Sequence, residues 1–227
     1  MRAAASHDLI IQKLVSHSVQ KGVKHACVIA AEATYYEGYG QYIKELSIKS
    51  GQSVTYVSVP MSNTGDYRDT ATRFKAAGCD AIYTWVGFGS IGNFYRRVRE
   101  SGSKALVYGL VQTDDPGILK AAGKPSEGVV FARFKMGSQE FQDKYFKIFR
   151  EQPTRPAIPA YDGVKLLLRL VEKVGTDADA LKKETTLVKD APATNGTLTY
   201  SSNGERLGEE IELMEIKNGT AVQITEF

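Results

Sequence analysis

Two cysteines, three histidines and a single tryptophan among 227 residues leave little material for metal or redox chemistry. Cys27 and Cys79 match no zinc or dithiol spacing, and His7, His17 and His25 do not fall at ligand intervals. Each cysteine opens an apolar run, the usual setting of a small buried thiol. Two cysteines make no disulfide framework, although the runs as sheet neighbours leave a single bridge open. No apolar stretch is long enough to cross a bilayer; even Val164 to Val171 is broken by Lys165 and Arg169. Residues Met1 to Asp8 lack the apolar core of a secretory leader, so the chain is either cytosolic or follows a leader that precedes this numbering. Neither charge dominates, since Lys and Arg exceed Asp and Glu by only 29 − 26 = 3. Arg96, Arg97 and Arg99, the densest basic group, are interrupted by Val98 and Glu100 and read as a solvated helix face. No nucleic-acid partner is expected.

Catalytic constellations are missing as well. Ser90 stands in no GxSxG elbow, there is no P-loop, and Asp66 and Asp69 lie near a helix start where the helix dipole accounts for them. The expectation is therefore a protein without enzymatic activity, resident metal or cofactor.

What the chain does have is ordinary globular composition, 42% hydrophobic and 24% charged. Its strongest signal is a unit punctuated by glycine. Gly22, Gly51, Gly78, Gly102 and Gly123 each end an amphipathic stretch, and a short apolar run soon follows: 25–31, 53–60, 80–86, 105–109 and 128–134. The stretches before the glycines carry helical spacing, with Ile11, Leu14, Val15 and Val19 on one face, then Tyr39, Ile43 and Leu46, then Ile91, Phe94, Tyr95 and Val98. Nearly unbroken apolar runs are what strands buried on both faces require. Helix and buried strand in alternation predict right-handed βαβ units and an α/β fold on a parallel sheet.

After Phe134 the rhythm changes. Helices are predicted over 139–151, with Phe141, Tyr145, Ile148 and Phe149 on one face, over 161–174, and over 177–189. Three prolines in 152–159 argue against helix there. The tail reads as strands over 196–200 and 210–216, with a hairpin signal at Asn218-Gly219. These helices and strands need a partner sheet that the chain hardly supplies.

Several phrases in order resemble the type I periplasmic binding proteins, in particular the leucine/isoleucine/valine-binding receptors. They are 22–30 (GVKHACVIA), Tyr35-Tyr-Glu-Gly38, Asp66-Tyr67, 74–82 (FKAAGCDAI), Arg99-Glu-Ser-Gly102, Glu127-Gly-Val-Val130 and Ala160-Tyr-Asp-Gly-Val164. The resemblance covers essentially the whole chain. It implies two α/β lobes with ligand between them: residues 1–133 as a complete Rossmann-like lobe, 134–210 as the returning part of an incomplete other lobe, and 211–227 as strands crossing back. Roughly the first third of a full-length member has no counterpart here. The implied role is the solute-binding component of an ABC importer, periplasmic or extracellular, whose partners are a small-molecule ligand and a membrane permease. That ligand is an amino acid of the branched-chain kind or a related carboxylate. Alternatives are a ligand-sensing regulatory domain on the same fold and, more remotely, an NAD-dependent Rossmann enzyme.

Ligands of open parallel sheets sit beyond the carboxyl ends of the strands, here at 31–37, 61–66, 87–91 and 110–115. By the resemblance, Tyr35 is the aromatic wall of the first loop, with neighbouring Tyr36 as alternative. Gly87, Phe88, Gly89 and Ser90 line the cleft, Ser90 as hydrogen-bond donor and Phe88 as packing surface. Gly87 stands where branched-chain binders carry an aromatic. The run 87–92 also matches GxGxxG, but it opens the third βα unit rather than the first, and no acid ends the next strand. Gln112 is expected to face the same cleft. Val111 takes the place of the carboxylate that pairs with a ligand ammonium in amino-acid binders. Asp114 or Asp115 would have to substitute, or else serve as N-cap before Pro116. The helices over 137–175 are expected to expose Phe141, Tyr145, Phe149, Leu167 and Leu168, inviting self-association or pairing with a separate first segment.

Overall fold

The computed structural model describes residues 3–4, 6–62 and 65–225. Five βα units come first: α1 (Asp8–Gln20), β1 (His25–Ala31), α2 (Thr34–Lys49), β2 (Ser53–Val59), α3 (Arg68–Ala76), β3 (Ala81–Trp85), α4 (Ile91–Glu100), β4 (Leu106–Gly109), α5 (Pro116–Ala122) and β5 (Val129–Phe134). There follow α6 (Gln139–Phe149), α7 (Ala157–Val174), α8 (Ala178–Thr186), β6 (Ala191–Pro192), β7 (Thr197–Tyr200), β8 (Arg206–Leu207), β9 (Ile211–Lys217) and β10 (Thr220–Gln223). The chain divides into two compact units, one of residues 7–133 and 212–227, the other of residues 1–6 and 134–211.

The larger unit is built on a sheet with strand order β10-β9-β5-β4-β3-β1-β2. Strands β1 to β5 pair in parallel, with Cys27 beside both Thr55 and Ile82, and Tyr83 beside Tyr108. The alternation of apolar run and amphipathic helix has the predicted result for β1, β3, β4 and β5, which are largely buried under helices, whereas β2 at the sheet's edge is fully buried only at Val57. The five helix-ending glycines all have φ between 64° and 83°, where a side chain would be strained. Ile11, Leu14 and Val15 of α1 are buried as the spacing requires, whereas Val19 is partly exposed at the helix end. The hairpin at Asn218-Gly219, both with positive φ, joins β9 to β10, and Glu127 accepts hydrogen bonds from both backbone N–H groups.

The core beneath α1 and α2 is not purely apolar. His17 Nδ1 lies 2.9 Å from the Tyr108 hydroxyl, and the Tyr108 ring stacks on Tyr83 with centroids 4.7 Å apart. Gln52 Nε2 donates to Ser18 Oγ at 2.9 Å. Cys27 and Cys79 are joined by a disulfide, their Cα atoms 5.8 Å apart. The two buried thiols suggested by the apolar runs are therefore one bridge, because strand order makes β3 the neighbour of β1.

In the smaller unit, Leu166, Leu170, Leu198 and Tyr200 form a core between α7 and the three-stranded sheet β6-β7-β8. Beneath it Asp162 accepts hydrogen bonds from Thr194 N at 2.9 Å and Thr194 Oγ1 at 3.0 Å, and buried Arg206 lies 3.9 Å away. Helix α7 begins at Ala157, four residues before the expected start, and takes Pro159 into its first turn. Proline is tolerated there because first-turn N–H groups have no intrahelical partner to lose. Phe141, expected at the surface, is buried against Tyr161 at 5.1 Å between ring centroids, and Tyr145 is half-buried. Phe149, Leu167 and Leu168 are exposed.

Candidate functional site

The strand order reverses direction between β1 and β3, with β2 added on one side and β4 and β5 on the other. At such a switch point the loops leaving the two central strands diverge and open a crevice beyond the carboxyl ends. The loop after β1 delivers Tyr35, the loop after β3 delivers residues 87–90, and the loop after β4 delivers Val111 and Gln112 to the same edge.

Tyr35 is the second residue of α2 and remains 43% exposed. It does not stand alone. Its ring meets Tyr36 and Tyr39 edge-on, both with centroids 5.1 Å away, and His7 at 5.9 Å. Its hydroxyl is 3.5 Å from His7 Nδ1. Tyr39 in turn reaches Trp85, the last residue of β3, at 6.3 Å. Burial, then the neighbouring Tyr39 and Tyr36, push the Tyr35 phenol up to about 12, so it stays a neutral donor near neutral pH. Sequence places none of His7, Tyr39 and Trp85 at the site, and it assigns Tyr39 only to an apolar helix face. The readable signals were the i, i+4 spacing of Tyr35 and Tyr39 on one helix face and the position of Trp85 at a strand's carboxyl end.

Gly87 is buried and precedes a single 3-10 turn, residues 88–90, its carbonyl accepting from Ser90 N at 2.9 Å. Phe88 and Gly89 are exposed on that turn. Ser90 is fully buried, and its hydroxyl donates to the Ser62 carbonyl at 2.6 Å while accepting from Gly65 N at 3.4 Å. Asn93 Nδ2 adds a 2.6 Å bond to the Gly65 carbonyl. Ser90 and Asn93 thus pin the loop after β2, and residues 63 and 64 of that expected cleft loop lie outside the described residues. Gly92, the last glycine of the GxGxxG match, serves helix packing: a Cβ there would come within 2.8 Å of the Ile118 carbonyl on α5.

In the fourth loop Val111 is buried, and Gln112 is half-buried with its amide oxygen lacking a hydrogen-bond partner. Asp115 is the N-cap of α5, accepting from Gly117 N at 2.8 Å and Ile118 N at 3.3 Å. Asp114 is held by Arg133 at 2.8 Å, and Arg133 also binds Glu212 at 2.9 Å. Neither aspartate is presented as an open carboxylate. The edge therefore combines aromatic surface with a few neutral polar groups, which suits an apolar body carrying one polar head.

A periplasmic binding protein model matches residues 2–221. The Leu/Ile/Val-binding protein homolog 3 of Brucella melitensis biotype 1 is 22% identical over 205 residues, covering 88% of this chain and 56% of that protein. A leucine binding protein from Thermotoga maritima MSB8 superposes with a TM-score of 0.86 at 19% identity, over 96% of this chain and 65% of its own. A solute binding protein of an ABC transporter from Rhodopseudomonas palustris BisB5, in complex with 3,4-dihydroxy benzoic acid, gives a TM-score of 0.78 at 21% identity, over 99% and 66%. The chain thus spans a little over half of the curated relative and just under two thirds of these structures. The family match spans both units and most of the sequence, and the chain belongs to the periplasmic binding protein family.

Proposed function

We propose that this chain is the ligand-receiving part of a solute-binding receptor for an ABC importer, periplasmic or extracellular, and that its ligand is a small carboxylate with an aromatic body. The observation that carries the ligand class is the occupied state of Asp114. With that carboxylate bound to Arg133 and apolar Val111 in the same turn, a ligand ammonium buried here lacks the partner that would offset its desolvation, a cost of several kcal/mol. The aromatic surface of Tyr35, Tyr39 and Phe88 offers packing instead, and the neutral Tyr35 phenol offers a hydrogen-bond donor to the carboxylate. The relatives support both amino-acid and benzoate-type ligands for the family at large. The Cys27–Cys79 disulfide supports an oxidising compartment.

In this reading the units of residues 7–133 and 134–211 belong to the two lobes of a receptor. Ligand stabilises a closed arrangement by its differential affinity, and the closed form docks on a permease. Helix α7 supports an incomplete smaller lobe. One of its faces packs on β7, yet Tyr161, Val164, Leu167 and Leu168 are exposed on the rest, Val164 at 58% and Leu168 at 59%. A second apolar face of this extent on one helix is normally covered. We take its cover to be chain corresponding to the part of the relatives left unmatched here.

Trp85 is the only tryptophan and lies beside Tyr39, so its fluorescence reports on this edge. Titration with benzoate, 3,4-dihydroxybenzoate and leucine tests the reading. Saturable change with the aromatic acids, at least tenfold tighter than leucine, is expected. Tighter binding of leucine would overturn the ligand class.

A further inference from the structure

At the amino-terminal edge of the large sheet, away from the ligand edge, stands a group of side chains that solute binding does not use. His25 opens β1 and Cys27 follows two residues later, so both side chains leave the strand on one face. Cys79 lies just before β3, the neighbour of β1, where Asp80 N donates to the His25 carbonyl at 2.9 Å. One imidazole nitrogen and the two sulfurs fall within 4.8 Å of one another. Thr55 Oγ1 on β2, 2.9 Å from His25 Nε2, holds the ring in place.

We propose that this group is a redox-gated zinc site, a disulfide clasp when oxidised and a His25–Cys27–Cys79 chelate of Zn²⁺ once a dithiol has reduced it. Reduction transfers two electrons and two protons from the dithiol to the two sulfurs, and the dithiol leaves as its own disulfide. Zinc then displaces both thiol protons, because the thiolates are the ligands. Tetrahedral zinc, with Zn–S of about 2.3 Å and Zn–N of about 2.0–2.1 Å, sets the sulfurs about 3.8 Å apart and each about 3.6 Å from the nitrogen. Cα atoms 5.8 Å apart permit that opening by side-chain rotation, and the imidazole must close by little more than an ångström. Two thiolates neutralise the cation, which suits the fully buried Cys27. Half-buried Cys79 lines a concavity of about 460 Å³, the route by which a reductant and a hydrated ion would reach the sulfurs.

The test uses the 227-residue chain reduced with a phosphine under anaerobic conditions, beside the oxidised chain, with near-UV circular dichroism recorded before Zn²⁺ is titrated against a chromophoric chelator. One equivalent is expected to bind the reduced chain and none the oxidised one. Co²⁺ in its place should show thiolate-to-metal charge transfer, and Zn²⁺ should protect both cysteines from alkylation. His25→Gln keeps both thiols and should weaken zinc at least tenfold, while Cys79→Ser should weaken it at least a hundredfold. Equal uptake by oxidised and reduced protein, no uptake by the reduced protein, or undiminished affinity in His25→Gln each overturns the proposal. A native signal lost on reduction and not restored by zinc overturns it as well.

Discussion

Arg133 Nη1 donates to Asp114 Oδ2 at 2.8 Å, tying the loop after β4 to the end of β5. Arg133 Nε donates to Glu212 at the root of β9 at 2.9 Å, so one guanidinium joins three segments of the larger unit. The side chains are 12% to 20% exposed, and the contacts are charge-assisted rather than superficial. Asp114→Asn keeps the loop's shape and should change affinity for an aromatic carboxylate less than threefold, measured by Trp85 fluorescence. Arg133→Met leaves two acids facing each other and should destabilise the fold by about 2–4 kcal/mol in urea titration. An Asp114→Asn variant that loses binding tenfold or more would make that carboxylate a ligand contact.

Removing the Tyr35 ring should be felt at the ligand rather than in the fold. Its side chain is partly exposed and bonded only weakly to His7. Tyr35→Ala should lower affinity by about tenfold while shifting stability by less than about 1 kcal/mol. Tyr35→Phe retains the packing and should stay within threefold of the parent. Equal affinity for all three would place the ligand wall elsewhere, with Tyr36 the next residue to substitute.

His17 makes the larger unit sensitive to acid. Burial holds its imidazole below the usual range, Lys21 adds to the effect and Glu215 opposes it. With the folded pKa depressed, the unfolded chain takes up a proton that the folded chain refuses. This contribution is therefore complete above about pH 6.5 and is lost as pH falls toward the folded value. The urea midpoint should drop between pH 7 and pH 5, and His17→Gln, which can still reach the Tyr108 hydroxyl, should flatten that slope. A slope unchanged in the variant assigns the acid sensitivity to other groups.

The disulfide closes a loop between residues 52 positions apart. Loop-closure entropy puts its stabilisation at about 4 kcal/mol, acting on the unfolded chain. Cys27→Ala with Cys79→Ala should lower the unfolding free energy by about that amount, and the single variants should equal the double. A loss below about 1 kcal/mol would mean that the bridge does not form in solution.

The exposed apolar face of α6 and α7 should make this chain associate. Phe149, Val164 and Leu168 are all more than half exposed. Sedimentation at micromolar concentration is expected to show species larger than a monomer, and Glu at these three positions should return it to monomer without altering ligand response. A monomeric parent chain would show that the face is tolerated in water.

The α/β alternation, the parallel strands and the helix-ending glycines were legible along the chain, because hydrophobic period and left-handed backbone are local properties of a few consecutive residues. The hairpin at Asn218-Gly219 was legible for the same reason, as was an N-cap before Pro116, although only the fold assigns it to Asp115 rather than Asp114. Residue pairings across the fold were not. Cys27 meets Cys79 only because β3 lies next to β1, and Asp114 meets Arg133 only because β5 lies next to β4. Strand order is settled by how all the helices cover both faces at once, and no short window of sequence carries it. The same holds for Ser90, whose hydroxyl meets the Ser62 carbonyl 2.6 Å away on the neighbouring loop, and for Phe141, which Tyr161 covers from another helix.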